Sequence, residues 1–270
     1  MKLGLIAVLF VGVLMAAAGD AQPYGTDILA TTTAGVLYRI APNGSWQVIV
    51  SFTSLPNMVA MHNNNRDAVV ATYQTPNELL VVDLQKNAIV RTILSGGPLF
   101  RHDYFTPLHD GDFAVTGTAL PFQGALIKVR PDGSGATTIH VGAPFRGPQA
   151  VIQDLNTGHI LMGDLTGQTL YDVAFDGTIT TVWISAMNFP FSMTQDHTDG
   201  TILLGNGGRS WLYGFHRLDR YTQRMTTVVQ PSVVNNANAI CFDRWLGTGE
   251  IIVGSGPVHR IDGRKGTVIT

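Results

Sequence analysis

The chain is poor in charge, in glutamate and in thiols. Of its 270 residues 13% are charged, glutamate occurs only at Glu78 and Glu250, and Cys241 is the single cysteine. One cysteine excludes an intramolecular disulfide, so an apolar core has to hold the fold. Cys241 lies in the strand-like run Ala239-Ile240-Cys241-Phe242 with no His or acid at a nucleophile's spacing, and reads as a buried thiol. The 17 basic and 19 acidic residues are interspersed and leave a net charge of −2. That balance gives no footprint for nucleic acid and no charged tail. A Ser-centred nucleophile elbow, a phosphate-cradling loop and a zinc spacing are all missing. Gly205-Asn206-Gly207-Gly208 precedes a strand, where a phosphate loop would need a helix.

What the chain does have is a phrase that returns six times. It reads Leu37-Tyr38-Arg39-Ile40-Ala41-Pro42-Asn43-Gly44, then Leu80-Val81-Val82-Asp83, then Leu126-Ile127-Lys128-Val129-Arg130-Pro131-Asp132-Gly133. The later copies are Leu170-Tyr171-Asp172-Val173-Ala174-Phe175-Asp176-Gly177, Leu212-Tyr213-Gly214-Phe215-His216-Arg217 and Val258-His259-Arg260-Ile261-Asp262-Gly263. Successive copies start 43, 46, 44, 42 and 46 residues apart. Strands and turns repeating at roughly 40–50 residues are the signature of a β-propeller. Low charge agrees, because blade strands are buried on both faces.

Around each copy four strands can be drawn. The fifth blade is the clearest: 191–195, 201–205, 212–217 and 225–229, separated by Asp199-Gly200, Gly207-Gly208 and Gln230-Pro231. The first turn of each blade is also regular, as in Asp154-Leu155-Asn156-Thr157-Gly158 and Asp196-His197-Thr198-Asp199-Gly200. Its Asp can bond the backbone two residues on, and its Gly supplies a positive φ. Asn43-Gly44-Ser45 fits a glycosylation acceptor and equally an Asn-Gly turn.

Asp-x-x-x-Gly before an apolar strand, followed by Leu-Tyr-Arg-Ile-x-Pro-Asn-Gly, resembles six-bladed propellers of the NHL-repeat, gluconolactonase-like and streptogramin-lyase-like superfamily over roughly residues 26–270. The resemblance lies in structural motifs, so it speaks for architecture more than for chemistry. Gluconolactonase-like relatives would imply a divalent metal, usually calcium, held by Glu, Asn and Asp residues lining the channel. Neither Glu78 nor Glu250 falls on an inner strand, which speaks against that ligand set. Streptogramin-lyase-like relatives would imply a histidine base and a metal, and His102 is the histidine placed for that role.

In such a ring, sites lie at the channel mouth, where inner strands begin. Counting about 20 residues upstream of each phrase places Asn57, Arg101, His102, Asp103, Gln149 and Asn238 there, and these are the candidate ligand-binding residues. Proline precedes most of these strands and fixes φ. Alternation along a strand sets His102 apart from Arg101 and Asp103. No catalytic residue or metal ligand is assigned. Trp46, Trp183, Trp211 and Trp245 fall at outer strands or loops and read as blade packing.

Residues 1–21 stand apart: Lys2, the apolar run Leu3 to Ala18 and the small residues Ala16-Ala17-Ala18-Gly19-Asp20-Ala21 form the pattern of a secretory signal peptide. The run falls short of the ~20 residues a membrane span needs. The expected organisation is therefore a signal peptide at 1–21 and one propeller domain at 22–270, with blades near 26–54, 55–96, 97–143, 144–187, 188–231 and 232–270. Secretion or periplasmic location follows, with no span after cleavage. Counting back 21 residues from Leu37 lands on Ala16, so blade one is expected to lack its inner strand. A three-stranded blade, a misread cleavage site and a shortened ring all fit, and an open edge would favour oligomers. The expected function is a binding or interaction module for a small molecule or protein, with no cofactor unless calcium. The alternatives are a metal-assisted lactonase or lyase and a subunit of an extracellular assembly.

Overall fold

In a computed structural model of the chain, the described residues are 9–10, 27–32, 34–41, 43–62, 66–73, 77–184, 190–196, 199–206, 214–229, 239–242, 250–254, 258–262 and 267–269. Their strands pair into six antiparallel sheets of four. The first contains β1 (Leu9–Phe10), β2 (Ile28–Thr32), β3 (Val36–Ile40) and β4 (Trp46–Ser51). The second contains β5 (Pro56–Met61), β6 (Asp67–Thr72), β7 (Glu78–Asp83) and β8 (Ala88–Ser95). The third contains β9 (Arg101–Pro107), β10 (Phe113–Ala119), β11 (Gln123–Val129) and β12 (Ala136–Val141), and the fourth β13 (Pro148–Gln153), β14 (Ile160–Asp164), β15 (Thr169–Val173) and β16 (Ile179–Ile184). The fifth contains β17 (Pro190–Gln195), β18 (Ile202–Asn206), β19 (Gly214–Asp219) and β20 (Arg224–Val229), and the sixth β21 (Ala239–Phe242), β22 (Glu250–Gly254), β23 (Val258–Asp262) and β24 (Val268–Ile269). Within every sheet the strands follow chain order, and the first strands of successive sheets touch, β5 on β9, β9 on β13, β13 on β17 and β17 on β21. This is a β-propeller of four-stranded antiparallel blades.

The recurring phrase is the third strand of its blade. Its polar end is a side-chain-to-backbone turn. Asp83 accepts from the N–H groups of Gln85 and Lys86, Asp176 from Thr178, Asp219 from Tyr221 and Thr222, and Asn43 from Ser45. Gly133 and Gly177 follow at φ 77° and 89°, where an L side chain is strained.

Neighbouring residues of one strand serve opposite interfaces. Ile127 joins a core with Val69, Leu79 and Phe113, between the second and third blades. Leu126, one residue earlier, joins Met162, Tyr171 and Val151 between the third and fourth. Both side chains are fully buried, and each such burial contributes roughly 1.5–3 kcal/mol. A strand packed on both faces has no solvent side for charge, which is why the chain carries so little.

One expectation is corrected. Blade one does not lack its inner strand: Leu9 pairs with Thr32 and Phe10 with Thr31. In other blades five to seven residues separate the first two strands, whereas residues 11–27 separate β1 from β2, so counting back by the usual interval stops short of it. The rest of the signal-peptide segment lies outside the described residues.

At the end of the blades away from the strand starts, glutamines latch one blade to the next. Gln195 accepts from the Leu155 N–H at 2.8 Å and donates to Asp154 at 2.9 Å and to the Gly200 carbonyl at 3.0 Å. Gln153 repeats this one blade earlier, with the His109 N–H and the Gly158 carbonyl both at 2.7 Å. Arg220 adds an ion-pair bridge to the buried Asp154 and, at 2.9 Å, to Asp172, which also meets His159 Nδ1 at 2.7 Å. Trp183 packs in the core between blades four and five, while Trp46 is exposed against Tyr38. Trp211 and Trp245 lie outside the described residues.

Candidate functional site

Each of four successive inner strands is irregular at its start. In β5 the register runs Pro56–Thr72 and then Met58–Ala71, leaving Asn57 as an extra residue. In β9 it steps from Gly117–His102 to Thr116–Tyr104, leaving Asp103. In β13 Gln149 and Ala150 together face the single Gly163, and in β17 Phe191 is the surplus residue. A bulge bends its strand and re-aims the extra side chain. Three of the residues assigned to the mouth from the repeat count (Asn57, Asp103 and Gln149) are thus bulge residues at one end of the blades. Counting locates their level; the bulge is legible only in the pairing.

The bulge in β9 depends on the glycine opposite. A Cβ on Gly117 would stand 1.9 Å from the Arg101 carbonyl oxygen and 3.2 Å from Leu99 Cδ1. No side chain fits there.

Arg101, Asp103 and Asn57 come together. Arg101 Nη2 donates to Asp103 Oδ2 at 3.1 Å, and its Nε lies 2.8 Å from Oδ1, a charge contact whose angle is poor for a hydrogen bond. Asn57 Nδ2 donates to the Asp103 carbonyl, tying blade two to blade three. Tyr73, on the loop after β6, completes the group: Arg101 Nη1 donates to its hydroxyl at 3.2 Å, and the guanidinium sits 5.2 Å from its ring centre. The repeat count overlooked Tyr73. Its position at the mouth end of a second strand was the available signal.

Burial dominates the charges. The Asp103 side chain is only 2% exposed, and desolvation pushes its pKa up to about 6 against the opposing pull of Arg101. His102 points elsewhere. It is fully buried, its backbone N–H donates to Asn77 Oδ1 at 2.9 Å, and burial lowers its pKa to about 4. The nearby backbone of Gly96 and Glu78 favours the protonated ring, yet neither ring nitrogen makes a hydrogen bond of ordinary geometry. A neutral ring locked between blades is packing, not a base at the mouth. Gln149 is buried, and its carbonyl accepts from Thr116 Oγ1 at 2.8 Å. Asn238 lies outside the described residues.

Asp164 shapes the mouth on the fourth blade. Its buried carboxylate accepts from the backbone N–H groups of Arg146 at 2.6 Å, Gly147 at 3.1 Å and Gly167 at 2.6 Å. The loop into β13 is therefore pinned.

The carboxylates described at the mouth are already engaged. Calcium takes 6–8 oxygens from carboxylates, amide and backbone carbonyls and water. Asp103 is engaged by Arg101, Asp164 by three backbone donors, and no group of three or more His, Cys, Asp or Glu side chains converges among the described residues.

With this geometry in place, the chain can be set beside known proteins. No family model and no curated protein matches it. Solved structures do. A nidogen–laminin complex chain matches with TM-score 0.75 at 12% identity, covering 91% of this chain and 92% of that one. A gluconolactonase of Xanthomonas campestris matches with TM-score 0.71 at 13% identity over 93% and 88%. A streptogramin B lyase matches with TM-score 0.65 at 13% identity over 99% and 84%. The likeness is one of fold. A protein–protein complex, a hydrolase and a lyase share this architecture, so the activity has to be argued from the mouth. No helix among the described residues is long and apolar enough to cross a membrane.

Proposed function

We propose that the protein is an exported six-bladed β-propeller that acts as a binding module, with its ligand or partner at the channel mouth. The observation that carries this reading is the row of bulged inner strands, which brings Asn57, Asp103 and Gln149 to one level beside Arg101 and Tyr73. These groups are hydrogen-bond donors and acceptors held by a rigid scaffold, the composition of a recognition site. Export rests on the pattern of residues 1–21, whose cleavage would remove β1 and leave the first blade with three strands, and six blades rest on the six copies of the phrase and the six sheets.

A thermal-shift screen of the full chain against sugar acids, lactones and short peptides tests the reading. Stabilising hits are expected to weaken in Asn57→Ala and Arg101→Lys and to persist in Arg217→Lys at the opposite end. Hits indifferent to Asn57 and Arg101 would overturn the mouth as the site.

A second reading, a lactonase or lyase, is favoured by one observation: a carboxyl titrating near pH 6 at the mouth is suited to proton transfer. It requires turnover that Asp103→Asn abolishes while binding survives.

A further inference from the structure

Charge is divided unequally between the two ends of the propeller. Where second strands end, third strands start and inner strands begin, the charged side chains among the described residues are Glu78, Arg101, Asp103, Arg146 and Asp164. The opposite end carries Asp83, Lys86, Asp110, Asp112, Lys128, Asp154, Asp199, Arg217, Asp219 and Arg220 among others. At the mouth end the acids are spoken for: Asp103 by Arg101, Asp164 by three backbone donors, and Glu78, farther from the axis, by the Ser95 hydroxyl. Arg146 is exposed and makes no ion pair among the described residues, while its backbone is anchored by Asp164.

Large apolar side chains stand out of this same end. Phe122 is 76% exposed, Leu120 67% and Phe100 58%, on the β10–β11 turn and the loop into β9. Phe100 and Phe122 meet edge-to-face at 6.1 Å between ring centres, so the two loop tips form one surface. Phe100 immediately precedes Arg101, whose guanidinium sits against the Tyr73 ring at the same end of the blades. Next to Phe122, Gly142 packs on Gln123 and Gly124 on Phe145 and Pro148, which brings the loop bearing Arg146 against that turn.

Among the described residues of this face, aromatics and arginine without lysine, with Asp103 and Asp164 buried and Glu78 the remaining acid, approach the composition of the core of a protein–protein interface. We infer that Tyr73, Phe100, Arg101, Leu120, Phe122 and Arg146 form a docking surface for a polypeptide segment that presents an apolar anchor side chain flanked by carboxylates. The rings and Leu120 take the anchor, and Arg146 with the outer edge of Arg101 takes the carboxylates. An anionic membrane is the poorer occupant. Polybasic lipid recognition uses clusters of about 4–8 cationic side chains, whereas the described residues of this face supply two, of which Arg101 is held by Asp103 and Tyr73. The inference rests on the reading of the mouth end as the working face and names the partner's chemistry.

The test uses the full chain and a short fluorescent peptide of glycine and serine carrying two phenylalanines flanked by aspartates, with a second peptide bearing lysines in place of the aspartates. By fluorescence anisotropy the acidic peptide is expected to bind. Phe122→Ser and Arg146→Ala, both at exposed positions, are each expected to weaken it roughly 5- to 10-fold, about 1–1.4 kcal/mol. Tyr221→Ser, exposed at the opposite end, leaves binding unchanged, and the lysine peptide binds more weakly than the acidic one. No binding by wild type, or equal binding by the Phe122→Ser/Arg146→Ala double variant, overturns the inference. So does co-sedimentation with phosphatidylglycerol vesicles that the same substitutions abolish while the peptide fails to bind, which would make the face a membrane contact. Peptide binding without small-molecule hits at Asn57 leaves this surface standing and removes the small-ligand form of the proposed function. The reverse result removes this surface alone.

Discussion

Arg101 and Asp103, two residues apart on β9, share an ion pair with Nε–Oδ1 at 2.8 Å and Nη2–Oδ2 at 3.1 Å, while His102 between them turns into the interface of blades two and three. Three consecutive residues thus send one charged pair to the mouth and one neutral ring to the core. Both buried groups carry shifted pKa values, and the shifts have opposite consequences for stability.

The Asp103 pKa of about 6 lies above the unfolded value near 3.9, so the native state binds the extra proton between those values. Its contribution is full below pH ~4 and is lost as pH rises through about 6. The His102 pKa of about 4 lies below the unfolded value near 6.5, so its contribution is present above pH ~6.5 and is lost as pH falls towards 4. Each is on the order of 3 kcal/mol, and over pH 4–6 they nearly cancel. Urea unfolding at several pH values should expose each slope separately. His102→Leu is expected to lose stability as pH rises from 4 to 6, and Asp103→Asn to gain it; parallel profiles for the two variants would refute the assignment.

Gly117→Ala tests the bulge. Its Cβ would meet the Arg101 carbonyl at 1.9 Å, and backbone cannot move aside as a side chain can. A loss of roughly 1–3 kcal/mol or more is expected by denaturant titration, together with loss of any ligand that requires Asp103. Full stability in this variant would mean that the bulge is dispensable.

Gln195→Ala removes a buried side chain that bonds the Leu155 N–H, Asp154 and the Gly200 carbonyl. Leaving these groups unmatched should cost about 1–3 kcal/mol, and hydrogen exchange should quicken at Leu155. Gln153→Ala makes fewer changes in a more exposed setting and should cost less.

Arg220→Met tests the ion-pair bridge. Arg220 joins Asp154, fully buried, to Asp172, and removing the cation strands the carboxylate. A loss of roughly 3–5 kcal/mol is expected from chemical unfolding. Arg217→Met strands the buried Asp196 as well as the half-exposed Asp199 and is expected to cost a comparable amount.

Much of this structure was legible in the chain. The six phrases mark third strands because each must be apolar on both faces and must end in a side-chain-capped turn, two local demands that leave a local signature. Level along the axis was legible too, since Asn57, Arg101, Asp103 and Gln149 stand 21 to 25 residues before the starts of their phrases. Direction was not. Alternation separated His102 from its neighbours, but the bulges that aim Asn57, Asp103 and Gln149 arise from pairing with β6, β10 and β14.

Composition and period therefore set the architecture and the end of the blades where a site would lie, because burial and turn geometry act within a few residues. The tertiary structure alone decided that Leu9–Phe10 fill the first blade, that Arg101 engages Tyr73 across the interface of blades two and three, and that Phe100 and Phe122 join into one surface. Those contacts join residues from separate strands and loops, and the energies that select them come from packing between blades, which no local pattern encodes.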